Sequence, residues 1–213
     1  MQVEIWSDVV CPWCYLGKRR FERALAAFDH SADVEVVYRS FELDPSAPRG
    51  ETTPVVDMLA GKYGMTPQQA EDVQRQMEER AAGDGLTFRM AGLRSGNTRD
   101  AHRLIQLARV RGRQAELMER LHRAYFTDQE SVFDHAALTL LAAEAGLDAD
   151  EAAKVLDSGE YADEVTADEQ TAHALGATGV PFFVIDRRYG ISGAQPAEVI
   201  GQALAQAWAD SGR

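Results

Sequence analysis

Cysteine is nearly absent: the 213 residues hold two, Cys11 and Cys14, and both fall in one turn of chain. A fold built on disulfides is thereby excluded, and a bond between residues so close would constrain little chain. No apolar run approaches the roughly 20 residues of a membrane helix. No segment resembles a leader, because Gln2-Val3-Glu4-Ile5-Trp6 already alternates like a strand directly after Met1. These absences set a cytoplasmic location as the expectation. Basic charge is in the minority, with 22 Lys and Arg against 34 Asp and Glu and a net charge of −12. Such a surface repels phosphate backbones and anionic lipid, so neither nucleic acid nor membrane is an expected partner. The five histidines, His30, His102, His122, His135 and His173, include no pair three to five residues apart. A zinc site built on Cys-x-x-Cys needs a second half-site of that kind, so no metal is expected. Repeats and low-complexity segments are also missing.

What is present is enough for a sizeable core, at 45% apolar residues, in one domain or one domain carrying a large insertion. Val3 and Ile5 read as a strand that runs into a loop at Ser7-Asp8. Pro12 stands where proline favours the first turn of a helix. Phe21, Ala24, Leu25 and Phe28 recur at helical spacing until about Asp29-His30. "VEVVYRSF" (34–41) is β-branched and aromatic, a buried strand. Strand, helix and a second strand parallel to the first make a βαβ unit. "ELDPSAPRGETTP" (42–54) is the best linker candidate in the chain.

Beyond it the texture is helical. Thr66-Pro67-Gln68-Gln69 combines an N-cap, a first-turn proline and a capping-box glutamine, opening a helix with Val73 and Met77 inward. "GLTFRM" (85–90) alternates as a short extended piece. Helices follow near 98–111, 114–126, 134–145, 148–157 and 161–175, with Asp148 as a cap and Gly112, Gly146, Gly159 and Gly176 as stops. Strand texture returns in "GVPFFVID" (179–186) and "RRYGIS" (187–192), before a helix from Pro196 to Trp208. The order predicts an α/β fold of βαβ…ββα type, residues 1–50 with 176–213, carrying an inserted helical subdomain over 51–175.

The chemistry centres on "CPWC". At a helix N-terminus, backbone N–H groups and the positive dipole end favour the thiolate, and Cys11 holds that position. Cys14 projects from the first turn within reach of it, so one sulfur can attack and the other resolve. The rivals are a zinc half-site and an inert reduced pair, since buried cysteine packs as a plain apolar residue. Pro181 heads an apparent core strand, where a proline needs a reason. Alone it reads as a trans strand-starter. With a CxxC in a βαβ unit and a ββα ending, a cis Val180–Pro181 bond beside the cysteines is expected.

"SDVVCPWCYLGKRR", "NTRDAHRL" (97–104) and "ATGVPFFVI" resemble the DsbA-like branch of the thioredoxin superfamily, over essentially the whole length. Within that branch the chain is similar to cytoplasmic FrnE-type oxidoreductases associated with polyketide biosynthesis. Near relatives of these are 2-hydroxychromene-2-carboxylate isomerases and kappa-class glutathione transferases. The resemblance implies a thioredoxin fold and a thiol–disulfide oxidoreductase, with Cys11 as nucleophile, Cys14 as resolving thiol and Pro181 as cis-proline. It implies no metal and no organic cofactor, with glutathione a possible co-substrate. Partners would be disulfide- or thiol-containing proteins or small molecules, and the assembly a monomer or homodimer. The isomerases and kappa transferases generally carry serine where this chain has Cys11, which makes glutathione isomerase chemistry the poorer match. A small-molecule isomerase or glutathione-dependent tailoring enzyme acting on an aromatic, polyketide-like substrate is the alternative function. Pro12-Trp13 also differs from the Pro-His pair of periplasmic DsbA, which implies a milder oxidant. Trp13 and Pro12 would offer hydrophobic contacts to substrate, and the backbone at Val180 could pair with an extended peptide. Asn97, Thr98 and His102 match a family segment facing the cleft. The plainer reading makes Asn97 a helix cap and His102 a surface residue. Lys18-Arg19-Arg20 reads as a solvated helix face, and Trp6 and Trp208 as core.

Overall fold

The opening alternation becomes strand β1 (Gln2–Ser7) in a computed structural model whose described residues are 1–212. Helix α1 (Pro12–Ala26) begins at Pro12, which needs no partner for the N–H it lacks. Strand β2 (Glu35–Ser40) then lies parallel to β1, from Gln2 opposite Glu35 to Ser7 opposite Ser40. A parallel pair needs a crossover, and α1 supplies it.

The stretch read as a linker ends in β3 (Thr52–Pro54), and α2 (Val55–Tyr63) follows at once. Helix α3 (Pro67–Gly83) starts on the expected capping box: Thr66 accepts from the Gln69 amide, and the Gln69 side chain from the Thr66 amide. Met77 is buried as expected, but Val73 is exposed, so the inward face of α3 runs through Ala70, Gln74, Met77 and Ala81. Residues 85–90 form no strand, yet Leu86, Phe88 and Met90 are all buried. Strand β4 (Arg94–Gly96) pairs antiparallel with β3, a contact between segments about forty residues apart that no local pattern announces.

Helices α4 (Arg99–Val110), α5 (Gln114–Arg123), α6 (His135–Glu144), α7 (Ala149–Asp157) and α8 (Ala162–Ala174) complete the block. Asp148 caps α7 by accepting from Glu151 N–H. Gly112, Gly146 and Gly176 take the left-handed conformation that ends helices, whereas Gly159 does not. A π-helical turn over Ala124–Asp128 extends α5.

Strands β5 (Phe182–Ile185) and β6 (Tyr189–Ser192) and helix α9 (Ala197–Ala209) close the chain. The sheet order is β2-β1-β5-β6, with β5 antiparallel to both neighbours. Central β1 is buried on both faces despite its alternating sequence, because helices cover the sheet on each side. Its Glu4 stays charged by facing Arg39 and Arg187: burial alone would raise its pKa, but the two guanidinium groups hold it below the usual carboxylate range. Trp6 is core, its indole N–H donating to Asp168 O at 2.8 Å. Trp208 is not: it is half-buried and stacks on His30 at 4.2 Å. Among the described residues no helix is long and apolar enough to cross a membrane.

Candidate active site

The register of β1 and β5 places the site. The pairing ends with Trp6 opposite Phe182, so the chain leaving β1 at Ser7 and the chain entering β5 from Pro181 lie at the same end of the sheet. The loop from β1 into α1 and the loop into β5 therefore meet at one end of the sheet. Cys11 is the N-cap residue of α1, and its carbonyl accepts from Cys14 N–H (3.0 Å) and Tyr15 N–H (3.3 Å). Its own amide donates to Asp8 O at 3.2 Å. The Val180–Pro181 bond is cis, as expected from the sequence, and Cys11 Sγ lies 3.7 Å from Val180 O. Pro181 O in turn accepts from Gly193 N–H at 2.8 Å, which ties this loop to the end of β6.

The two thiols are unbonded and differ in surroundings. Burial pushes Cys14 well above the ordinary thiol range, and its contact with Cys11 pushes the same way. Hydrogen bonds from Ser7 and the Asp8 amide oppose this without cancelling it. The proton stays on Cys14, while Cys11 sits where the unpaired N–H groups of α1 converge. Both sulfurs are shielded, Cys11 being 4% exposed, and between them Trp13 stands out at 39%.

Behind the pair lies a polar layer that spacing alone did not reveal. Asp8 is fully buried; its carboxylate meets His102 Nε2 at 3.3 Å and accepts from Leu43 N–H at 2.8 Å. His102 is neither on the surface nor at a cleft: it is completely buried behind the cysteine loop. Burial pushes its pKa down, but Asp8, Glu42 and Glu169 outweigh this and raise it. His122, also buried, approaches Asp8 O at 3.4 Å; burial and the nearby Lys18 charge lower its pKa to about 4, leaving it neutral. Asn97 faces the 42–47 loop, its amide donating to Ala47 O at 3.1 Å and its Oδ1 accepting from Arg99 N–H, so it does brace the start of α4. Glu42, inside the stretch read as a linker, is buried against Arg99 at 3.0 Å.

The inserted block flanks the site on two sides. Tyr15 stacks on Phe88 and His122, and Phe88 on Phe126 of the π-helical turn at 4.7 Å. From α3, Arg80 lies over the Trp13 ring at 5.7 Å. Lys18, Arg19 and Arg20 are not a solvated face: Lys18 is buried against Glu22 and Glu119, Arg19 pairs with Glu119, and Arg20 with Asp84. Gly17 lies directly under Pro181, close enough that any side chain there would collide with the proline ring. A glycine inside a helical pattern was the available signal for that contact. Asp8 and Arg80 carried no such signal.

Residues 2–205 match the DSBA-like thioredoxin domain. The chain belongs to that family. It is 55% identical to the probable DsbA oxidoreductase of Streptomyces coelicolor, over 98% of this chain and 90% of that one, with a TM-score of 0.94 between the structures. It is 28% identical to the uncharacterised protein YwbO of Bacillus subtilis strain 168, over 96% of each. A 2-hydroxychromene-2-carboxylate isomerase shares the fold at a TM-score of 0.71, covering 100% of this chain and 98% of that one, with 14% identity. In this DsbA-like frame the αβ sheet presents the CxxC and the cis-proline loop at one end, and the inserted helices wall it.

Proposed function

We propose that the protein is a thiol–disulfide oxidoreductase. The observation that carries the reading is the pair of unbonded thiols at the start of α1, with Cys11 beside Val180 O and the proton held on buried Cys14. The Cys11 thiolate attacks one sulfur of a substrate disulfide; that S–S bond breaks, and one thiolate leaves. Cys14 then gives up its proton and attacks Cys11, releasing the second thiol and leaving Cys11–Cys14 oxidised. Two electrons pass to the substrate; run backwards, the oxidised pair accepts two from a dithiol. The pair itself carries the electrons, so the reading calls for no metal or organic cofactor. Substrates are disulfide- or thiol-bearing proteins or small molecules, with glutathione as a possible co-substrate. A cytoplasmic setting fits a chain whose only cysteines are this pair.

Trapping tests the roles. Cys14→Ser should accumulate a mixed disulfide on Cys11, since the adduct has lost its internal escape, and Cys11→Ser should accumulate none. Mass spectrometry finding adducts mainly on Cys14 of the Cys11→Ser protein would overturn the assignment. A second reading is a small-molecule isomerase or glutathione-dependent tailoring enzyme, acting on an aromatic, polyketide-like substrate. The close approach of Arg80 to Trp13 and the shielding of both sulfurs favour a confined substrate. If insulin reduction and refolding of a scrambled disulfide protein both fail while the thiols cycle normally, that second reading takes over.

A further inference from the structure

Asp84, at the end of α3, is nearly buried and meets two arginines of α1: Arg20 on one carboxylate oxygen and Arg23 on the other. On a helix the partner for Asp84 four residues back is Arg80. With both Asp84 oxygens occupied from α1, Arg80 has no hydrogen bond or ion pair among the described residues, and it is exposed. Residues at the other ion-pairing distances along α3 are Gln76, Met77 and Gly83, none of them an acid. Glu79 is adjacent in sequence and so points about 100° away. The free guanidinium lies instead over Trp13, between the two cysteines. On α1, Trp13, Gly17 and Arg20 share one stripe, and Arg20 and Arg23 are both paired with Asp84, which leaves Arg80 as the cation over Trp13. On a molecule of net charge −12, Arg80 is a cation held against the residue that separates the two cysteines.

We propose that Arg80 is a specificity-determining residue, and that the substrate is a disulfide carrying a carboxylate within a few bonds of its sulfur. The inference rests on the exchange chemistry proposed above. Trp13 gives the guanidinium a flat apolar support, as arginine over an aromatic face commonly has. The outer N–H groups remain available to a carboxylate in the planar geometry both groups favour. An incoming anionic disulfide is repelled by the overall charge and attracted by Arg80, so Arg80 selects at the encounter and in the docked complex.

The test is the rate at which the reduced full-length protein is oxidised by three small disulfides of similar size. Dithiodipropionate is anionic, cystamine cationic and hydroxyethyl disulfide neutral. Each variant is compared with wild type on each disulfide, which cancels leaving-group differences, and the neutral one absorbs any change in the thiolate itself. Relative to the neutral disulfide, Arg80→Glu should slow dithiodipropionate about tenfold and speed cystamine by a similar factor; Arg80→Ala should give about threefold. The separation should vanish near 1 M salt, where the screening length is ~3 Å. Arg109→Glu makes the same charge change at the far end of α4, near Gln2 and Glu35, and should not separate the three. Equal factors for all three disulfides in Arg80→Glu, or an equal separation in Arg109→Glu, would overturn the inference. Exchange with none of the three by the wild type would overturn the oxidoreductase reading, and this inference with it.

Discussion

At Gly17 a β-carbon would lie 2.8 Å from Cγ of Pro181 and 3.4 Å from the Phe183 ring. The proline ring is rigid, so Gly17→Ala has to push the Val180–Pro181 loop off α1 and away from Cys11. Alanine adds about 1 kcal/mol of helix propensity, and overpacking costs about 1–3 kcal/mol, so stability should change little or fall modestly. Disulfide exchange should instead slow by at least about tenfold, because small misplacements around a reacting atom are expensive. Urea midpoints and exchange rates measured side by side decide it, and an unchanged rate would show that the contact does not matter. At this scale the cysteines and Pro181 were legible, because their spacing and position break local rules without a packing reason. His102 was misread because one helical turn of sequence does not say which way it faces: α4 presents it to Asp8, a residue 94 positions away.

β2 is the edge strand of the main sheet, and edge strands carry unpaired backbone groups that must be covered. Gln114, the first residue of α5, covers them with its side-chain amide. It accepts from Tyr38 N–H at 3.0 Å and donates to Tyr38 O at 2.9 Å, as another strand would. Asp168 of α8 accepts from Ser40 N–H two residues further on, at 3.0 Å. Gln114→Ala would leave a buried N–H and C=O of Tyr38 unmatched, a cost of about 2 kcal/mol or more. Chemical denaturation should show that loss, and a change below about 0.5 kcal/mol would mean water replaces the amide. Most helices were legible as elements because their caps and glycine stops are local chemistry. α2 and the β3–β4 pair were not: β3 hides in the segment whose composition reads as linker, its partner β4 is distant in sequence, and α2 starts with no side-chain cap.

Most buried side chains of the sheet, α1, α9 and the inserted helices form one apolar cluster, in which Val3, Ile5 and Leu16 join Leu104, Leu117, Phe126, Val155 and Ile200, while Trp6, Phe182 and Val184 of the sheet form a second with Ala172 of α8. Unfolding should therefore be a single cooperative transition. The expected result is coincidence of the far-UV circular dichroism transition, dominated by the inserted helices, with the near-UV transition that includes Trp6 in the sheet. An earlier loss of helical signal would mean the block melts on its own and that the shared core couples it only weakly to the cysteine loop.

Sequence alone determined the order of most elements, the CxxC at a helix start and the proline heading β5, because capping, periodicity and the rigidity of proline act within a few residues. Charge balance likewise follows from composition with no structure at all. What surrounds the thiols was decided only in three dimensions. Asp8 meets His102, Gly17 meets Pro181, and Arg80 reaches Trp13 because sheet register and helix packing bring together residues that share no local pattern. The burial that holds a proton on Cys14 is of the same kind, since desolvation comes from everything packed around the sulfur and from no one neighbour in the chain.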